Sequence, residues 1–198
     1  MFFSTVLAGL AVAATTVAAQ ECTTQRRIDT SDQVAIAYNA EGFGASAEAF
    51  KLVPWGSPDS AGTCLTTIIP NGLGCAIPVA TTGAGTYQFA VETRQVFNQL
   101  NVTEIVPFNN GTVLLSVEIH IGAREFVPIP VTFHGYVYMD YNTDCRIYSA
   151  RAYADVPTSV LNMMIPGGTP GLPAPGLLPL CKNLPIGGQK KREISFEA

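Results

Sequence analysis

Glu104 is the residue in this chain whose setting is most suggestive of chemistry. In the run Val102–Phe108 every second residue shares a face of an extended strand, so period two places Glu104 between Val102 and Val106, with Phe108 beyond. A carboxyl held among apolar side chains loses hydration, its pKa rises, and it can serve as an acid or a base near neutrality. Two further carboxyls are candidates to work with it: Glu92 on a helical stretch and Asp59 in a loop. The two histidines, His120 and His134, fall on the mixed face of their strands and read as surface residues.

Those residues need elements to position them. Residues 33–40, capped by Ser31 or Asp32, and 45–52 read as short helices. One strand is expected at Leu65–Ile69. A helix over 84–100 brings Phe89, Thr93, Val96, Phe97 and Leu100 to one broad face. Four strand-like runs follow: Val102–Phe108, Thr112–Ile121, Pro130–Asp140 and Arg146–Asp155. Asn109-Asn110-Gly111 makes a hairpin turn between the first two, and Asn142-Thr143-Asp144 a turn between the last two. Helices followed by a consecutive antiparallel sheet predict an α+β fold with the helices on one face. In 113–121 the odd positions are all apolar, as are those of 131–139 apart from Gly135, so the odd face is the core face. Tyr136 and Tyr138, with Tyr148 and Tyr153, then form an outer aromatic surface suited to a homodimer.

Composition narrows the partners. The chain has 198 residues, a net charge of −4 and only 13% charged residues against 47% hydrophobic. It lacks the cationic stripe of a nucleic-acid binder, and two histidines exclude a metal centre built on several imidazoles. No metal and no cofactor are expected. Residues 1–19 carry no charge and end in Val17-Ala18-Ala19, which reads as a signal peptide cleaved before Gln20. No later apolar run is long enough to span a membrane. The sequons at Asn101 and Asn110 agree with a secretory route.

Five cysteines (Cys22, Cys64, Cys75, Cys145, Cys181) suit an oxidising compartment. Connectivity stays open, with five choices of odd thiol and three pairings of the rest. Cys64 with Cys75 is the nearest pair and the first expectation; Cys22 or Cys145 with Cys181 would tie down a terminus. The folded domain is expected over 20–160 and a tail over 161–198. Within the tail, 12 of the 23 residues of 166–188 are Pro or Gly, and Lys190-Lys191-Arg192 offers a dibasic cleavage site.

The run VTFHGYVYMDYNTDCRIYSARAYAD (131–155), preceded by the 84–100 helix and the 102–121 hairpin, resembles the NTF2-like superfamily in its SnoaL-like branch. Val131, Phe133, Gly135, Val137, Met139 and Tyr141 match its closing strand, and Arg151, Tyr153 and Asp155 match the last one. Cys145-Arg146-Ile147 stands where Gly-Lys-Ile is usual. The resemblance implies a cone: a curved sheet wrapped on N-terminal helices around an apolar pocket. It implies a wall of Val106, Phe108, Val117, Ile119, Phe133, Val137, Met139 and Ala152. It also implies an apolar small-molecule ligand. Val137 and Ala152 stand where the family's isomerases and limonene epoxide hydrolases carry acids, so those mechanisms do not transfer. What remains is a polyketide epoxide hydrolase or cyclase working through Glu104 with Glu92 or Asp59. The alternative is a secreted, non-catalytic small-molecule-binding or host-interaction protein on the same fold.

Overall fold

The computed structural model describes residues 21–56, 62–70 and 76–155. The signal-peptide residues, Asp59, Cys75, Cys181, the Pro/Gly tail and the dibasic site lie outside the described residues.

Helix α1 (Thr24–Asn39) starts earlier than Ser31 or Asp32 would place it. Thr23 caps it, accepting the Arg26 N–H at 3.2 Å. Ser31 lies inside the helix instead, donating to the Arg27 carbonyl at 2.9 Å and sharing a 2.8 Å hydrogen bond with the Tyr141 hydroxyl. A tertiary partner thus takes the hydroxyl that a cap would have used. Gly42 and Gly44 (φ +97° and +78°) then turn the chain into helix α2 (Ala45–Lys51). Strands β1 (Thr63–Pro70) and β2 (Ile77–Thr82) pair antiparallel, and β2 had no strand-like pattern to announce it. Thr82 caps helix α3 (Gly83–Arg94), accepting the Gly85 N–H at 3.1 Å.

Helix α3 ends before the 100 that the apolar spacing suggested, and strand β3 (Phe97–Pro107) begins at once. The Arg94 guanidinium donates to the Phe97 carbonyl and pairs with Glu125 at 3.0 Å, drawing the chain off the helix axis. Strand β4 (Thr112–Ala123) then pairs with β3, β5 (Val127–Tyr141) with β4, and β6 (Ile147–Ala154) with β5. The sheet order is β2-β1-β6-β5-β4-β3, antiparallel except where β1 runs parallel to β6. The fold is α+β: three helices against one open, six-stranded mixed sheet.

Period-two alternation holds in β4 and β5. Val113, Leu115, Val117, Ile119 and Ile121 are all buried, and Phe133 and Met139 meet them on the same side. Against this face pack Val34, Ala35 and Ala37 of α1, with Phe50 of α2. The core therefore lies between the helices and one face of the sheet.

Strand β3 breaks the alternation. Its register slips between Phe97 and Gln99 and again between Val102 and Glu104. Each bulge adds one residue, so the positions facing β4's core residues are Phe97, Leu100, Val102 and Ile105, with Pro107 at the strand's end. Steps of three, two and three imitate one face of a helix, which is why the 97–100 stretch reads as helical. The second bulge also turns Glu104 over. It pairs with Ser116 on the outer face, and Val106 follows it there opposite Leu114.

Candidate functional site

An apolar cavity of about 120 Å³ lies between the sheet and helices α1 and α3. Six of the eight wall residues implied by the sequence line it: Val117, Ile119, Phe133, Val137, Met139 and Ala152. Val106 and Phe108 do not, because the bulge puts them outside; Phe108 stacks on Tyr138 with ring centroids 6.4 Å apart. In their place Phe97 and Leu100 enter the wall from the first half of β3.

The cavity's polar groups are Tyr38, Trp55, Thr66, Thr86 and Thr93, and each is engaged within the protein. Thr93 donates to the Phe89 carbonyl at 2.9 Å, so the 3.0 Å bond between Tyr38 and Thr93 uses the tyrosine proton. Thr86 donates to the Thr82 carbonyl at 3.0 Å, so its 2.7 Å bond with Thr66 uses the Thr66 proton. The Trp55 indole N–H is given to the Phe50 carbonyl at 3.2 Å. The wall thus presents oxygen lone pairs but no spare proton donor. Desolvation pushes the Tyr38 hydroxyl up to about 12, so it stays neutral at any physiological pH. No charged side chain and no imidazole among the described residues lines the cavity.

The expected carboxylates are elsewhere. Glu104 is solvent-exposed on the outer face, opposite Ser116. Glu92 is exposed on α3, accepting from Gln88 at 2.9 Å. The outer face also holds His120 and His134 on either side of Glu118, at 2.9 and 3.9 Å. The sequon residue Asn101 sits beside them, its amide 3.2 Å from His120. Asn110 lies exposed in the β3–β4 turn, where its side-chain oxygen accepts the Thr112 N–H at 3.1 Å. Among the described residues no group of three or more His, Cys, Asp or Glu is arranged to hold a metal ion, and no helix is long and apolar enough to cross a membrane.

The disulfide expectation needs correcting. Cys64 is a buried free thiol, hemmed in at the start of β1, and does not bond Cys75. The bridge joins Cys22 to Cys145, so neither of these pairs with Cys181.

Trp55, Tyr38 and the threonines are the polar wall residues that the sequence pattern does not indicate. A signal existed only for Thr93, which shares the apolar face of 84–100 with Phe89 and Phe97. Trp55 stands in a Gly- and Pro-rich stretch with no periodicity to orient it.

No family model matches the chain, and no curated protein matches it. Solved structures do. AusH from Aspergillus nidulans is 16% identical, with 69% of this chain and 88% of that one covered at a TM-score of 0.48. A protein of ketosteroid isomerase-like fold from Catenulispora acidiphila, solved with trimethylamine, is 14% identical over 74% of this chain and 95% of its own, at 0.44. A SnoaL-like protein from Shewanella denitrificans is 6% identical over 65% of this chain and 90% of its own, at 0.43. The chain resembles the NTF2-like, SnoaL-like fold. At these identities the likeness concerns backbone shape, and the chemistry rests on the cavity itself.

Proposed function

We propose that this protein binds a small, neutral, apolar molecule in the cavity of its NTF2-like fold and holds it without transforming it. The observation that carries this reading is the wall: apolar throughout, with every hydroxyl and the indole N–H already bonded to protein. An epoxide oxygen leaving a carbon needs a proton or a donor at that atom, and an attacking water needs a base. The described wall supplies neither. Hydrophobic transfer into such a cavity needs neither. Its volume is in the class of an engineered cavity of about 150 Å³ that takes up benzene.

Retaining the void costs stability, on the order of 3 kcal/mol at about 24 cal/mol per Å³ for a cavity of this size. A cavity kept at that cost favours a ligand. Carboxylate acid–base turnover of a polyketide epoxide is the competing reading, and it requires a carboxyl that reaches the cavity. Glu104 and Glu92 point away from it, and Asp59 lies outside the described residues.

The setting we assign is the secretory pathway, supported by the charge-free leader, two sequons and the Cys22–Cys145 bridge. N-terminal sequencing of protein from a eukaryotic secretory host should find Gln20 first, and deglycosylation should lower its mass.

The deciding experiment is calorimetric titration with benzene and toluene of the wild type and of Ala150→Leu. Ala150 is a buried wall residue, and the added isobutyl group would occupy the void. The wild type should bind and the variant should not, while its melting temperature stays equal or rises. Incubation with an epoxide-bearing polyketide should return the compound unchanged. A product heavier by one water, lost in Glu104→Gln or Asp59→Asn, would overturn the binding reading in favour of the enzyme.

A further inference from the structure

Trp55 belongs to two spaces at once. It lines the apolar cavity, and it also lines an open surface groove formed with Leu52, Pro54, Tyr87 and Arg146. Among the described residues it is the one common to both walls. Trp55 therefore stands between the cavity and the groove.

The backbone that carries the indole is fixed. Trp55 forms an isolated parallel bridge to Ile147. The Ile147 N–H donates to the Pro54 carbonyl at 2.9 Å, and the Gly56 N–H returns to Ile147 at 2.8 Å. The Trp55 carbonyl accepts from the Arg146 guanidinium at 2.6 Å, and the same guanidinium bonds the Gly56 carbonyl. Gly83 packs so closely that a Cβ there would come within 2.7 Å of the Trp55 oxygen. The side chain, by contrast, is tethered by a single hydrogen bond at 3.2 Å. Rotation about χ1 and χ2 costs that bond and the indole's packing against the core, and requires no break in the backbone hydrogen bonds.

We propose that Trp55 is the residue that sets ligand size in this protein: its indole is the partition that ends the cavity, and its rotation joins the cavity to the Leu52–Tyr87–Arg146 groove. This rests on the ligand-binding reading above. In the closed position the indole limits the ligand to what the cavity holds. Longer molecules must displace it, giving up its hydrogen bond and its packing, and lay their far end along the groove.

An alkylbenzene series from benzene to hexylbenzene measures this by isothermal titration of the full-length secreted protein. In the wild type each methylene should raise affinity about fourfold until the chain meets the indole, after which affinity falls. In Trp55→Ala the fall should move to longer chains, with the longest members binding on the order of tenfold tighter than to wild type. Trp55→Phe keeps a ring in place and should lie between the two, so a folding defect in the alanine variant does not remove the test. Trp55 is also the chain's sole tryptophan, so ligand arrival should shift wild-type indole emission directly. Benzene bound by all three proteins with the same chain-length limit overturns the role of Trp55 and leaves the cavity reading standing. No binding of any member to wild type overturns both.

Discussion

A hydroxyl has one proton to give, and at the cavity wall Thr86 and Thr93 have given theirs to main-chain carbonyls. Tyr38 and Thr66 complete these short relays, which makes each a point where one substitution unsettles a buried partner. Thr86→Val should cost about 1–3 kcal/mol in urea unfolding, because Thr66 loses its acceptor in a dry setting. Tyr38 supports a prediction in pH. Its folded pKa, about 12, lies above the ordinary value of 10.0, so the folded state holds its proton where the unfolded chain has released it. Its contribution is complete below pH 10 and is lost as pH rises towards 12. Burial raises Tyr141 in the same direction. Denaturant unfolding at pH 8 and pH 11.5 should differ by on the order of 2 kcal/mol per tyrosine, and Tyr38→Phe should flatten the profile by one such share. An equal alkaline loss in Tyr38→Phe would rule that residue out as the source. None of this was legible in the sequence, because a relay of hydroxyls depends on which backbone carbonyls are near. The wrong placement of Glu104 has the same root. Its neighbours in the chain are apolar, but its face is decided by a bulge one residue away.

Elements with regular alternation were legible, and for a physical reason: Val113, Leu115, Val117, Ile119 and Ile121 of β4, with Phe133 and Met139 of β5, are all buried, so any other register would expose the whole set. Strand β3 was not, since two bulges give it the spacing of a helix. Where β3 leaves α3, a charge network holds three loops together. Glu125 accepts the Gly42 N–H at 2.9 Å and pairs with Arg94 at 3.0 Å and Arg124 at 3.3 Å, and Arg124 donates to the Gly42 carbonyl at 2.7 Å. The Gly42 N–H, with its own backbone amide and the two guanidiniums, holds the Glu125 carboxyl below its usual range. Because that pKa is depressed on folding, the stabilisation is present above the ordinary carboxylate range and disappears as pH falls through it. Arg94 is almost wholly buried, and burial lowers its pKa, so it depends on this carboxylate for compensation. Glu125→Gln should lower the melting temperature at pH 7 by several degrees and remove most of the wild type's decline between pH 5 and pH 3. A parallel decline in variant and wild type would mean that another carboxylate governs acid stability.

At the scale of the whole molecule, one covalent link among the described residues spans the fold. Cys22 lies just ahead of α1 and Cys145 in the β5–β6 turn, 123 residues later, so the bridge fastens the first helix to the turn between the two central strands of the sheet. Sequence alone left this pairing among many, because nearness along the chain favours Cys64 with Cys75, whereas burial inside the core removes Cys64 from reach. A loop of this length removes a large share of unfolded-chain freedom, which places the stabilisation at about 2–5 kcal/mol. The same link restrains the helix that supplies Val34 and Tyr38 to the cavity, so its loss should loosen the binding site as well as the fold. Cys22→Ser/Cys145→Ser should therefore show a lower unfolding midpoint and weaker benzene binding, measured together on one preparation. Peptide mapping of the unreduced wild type should recover the Cys22 and Cys145 peptides as one species, and Cys64 should alkylate only after denaturation. If the double variant kept its binding while losing stability, the bridge would act on the unfolded chain alone, and the cavity's shape would be owed to side-chain packing.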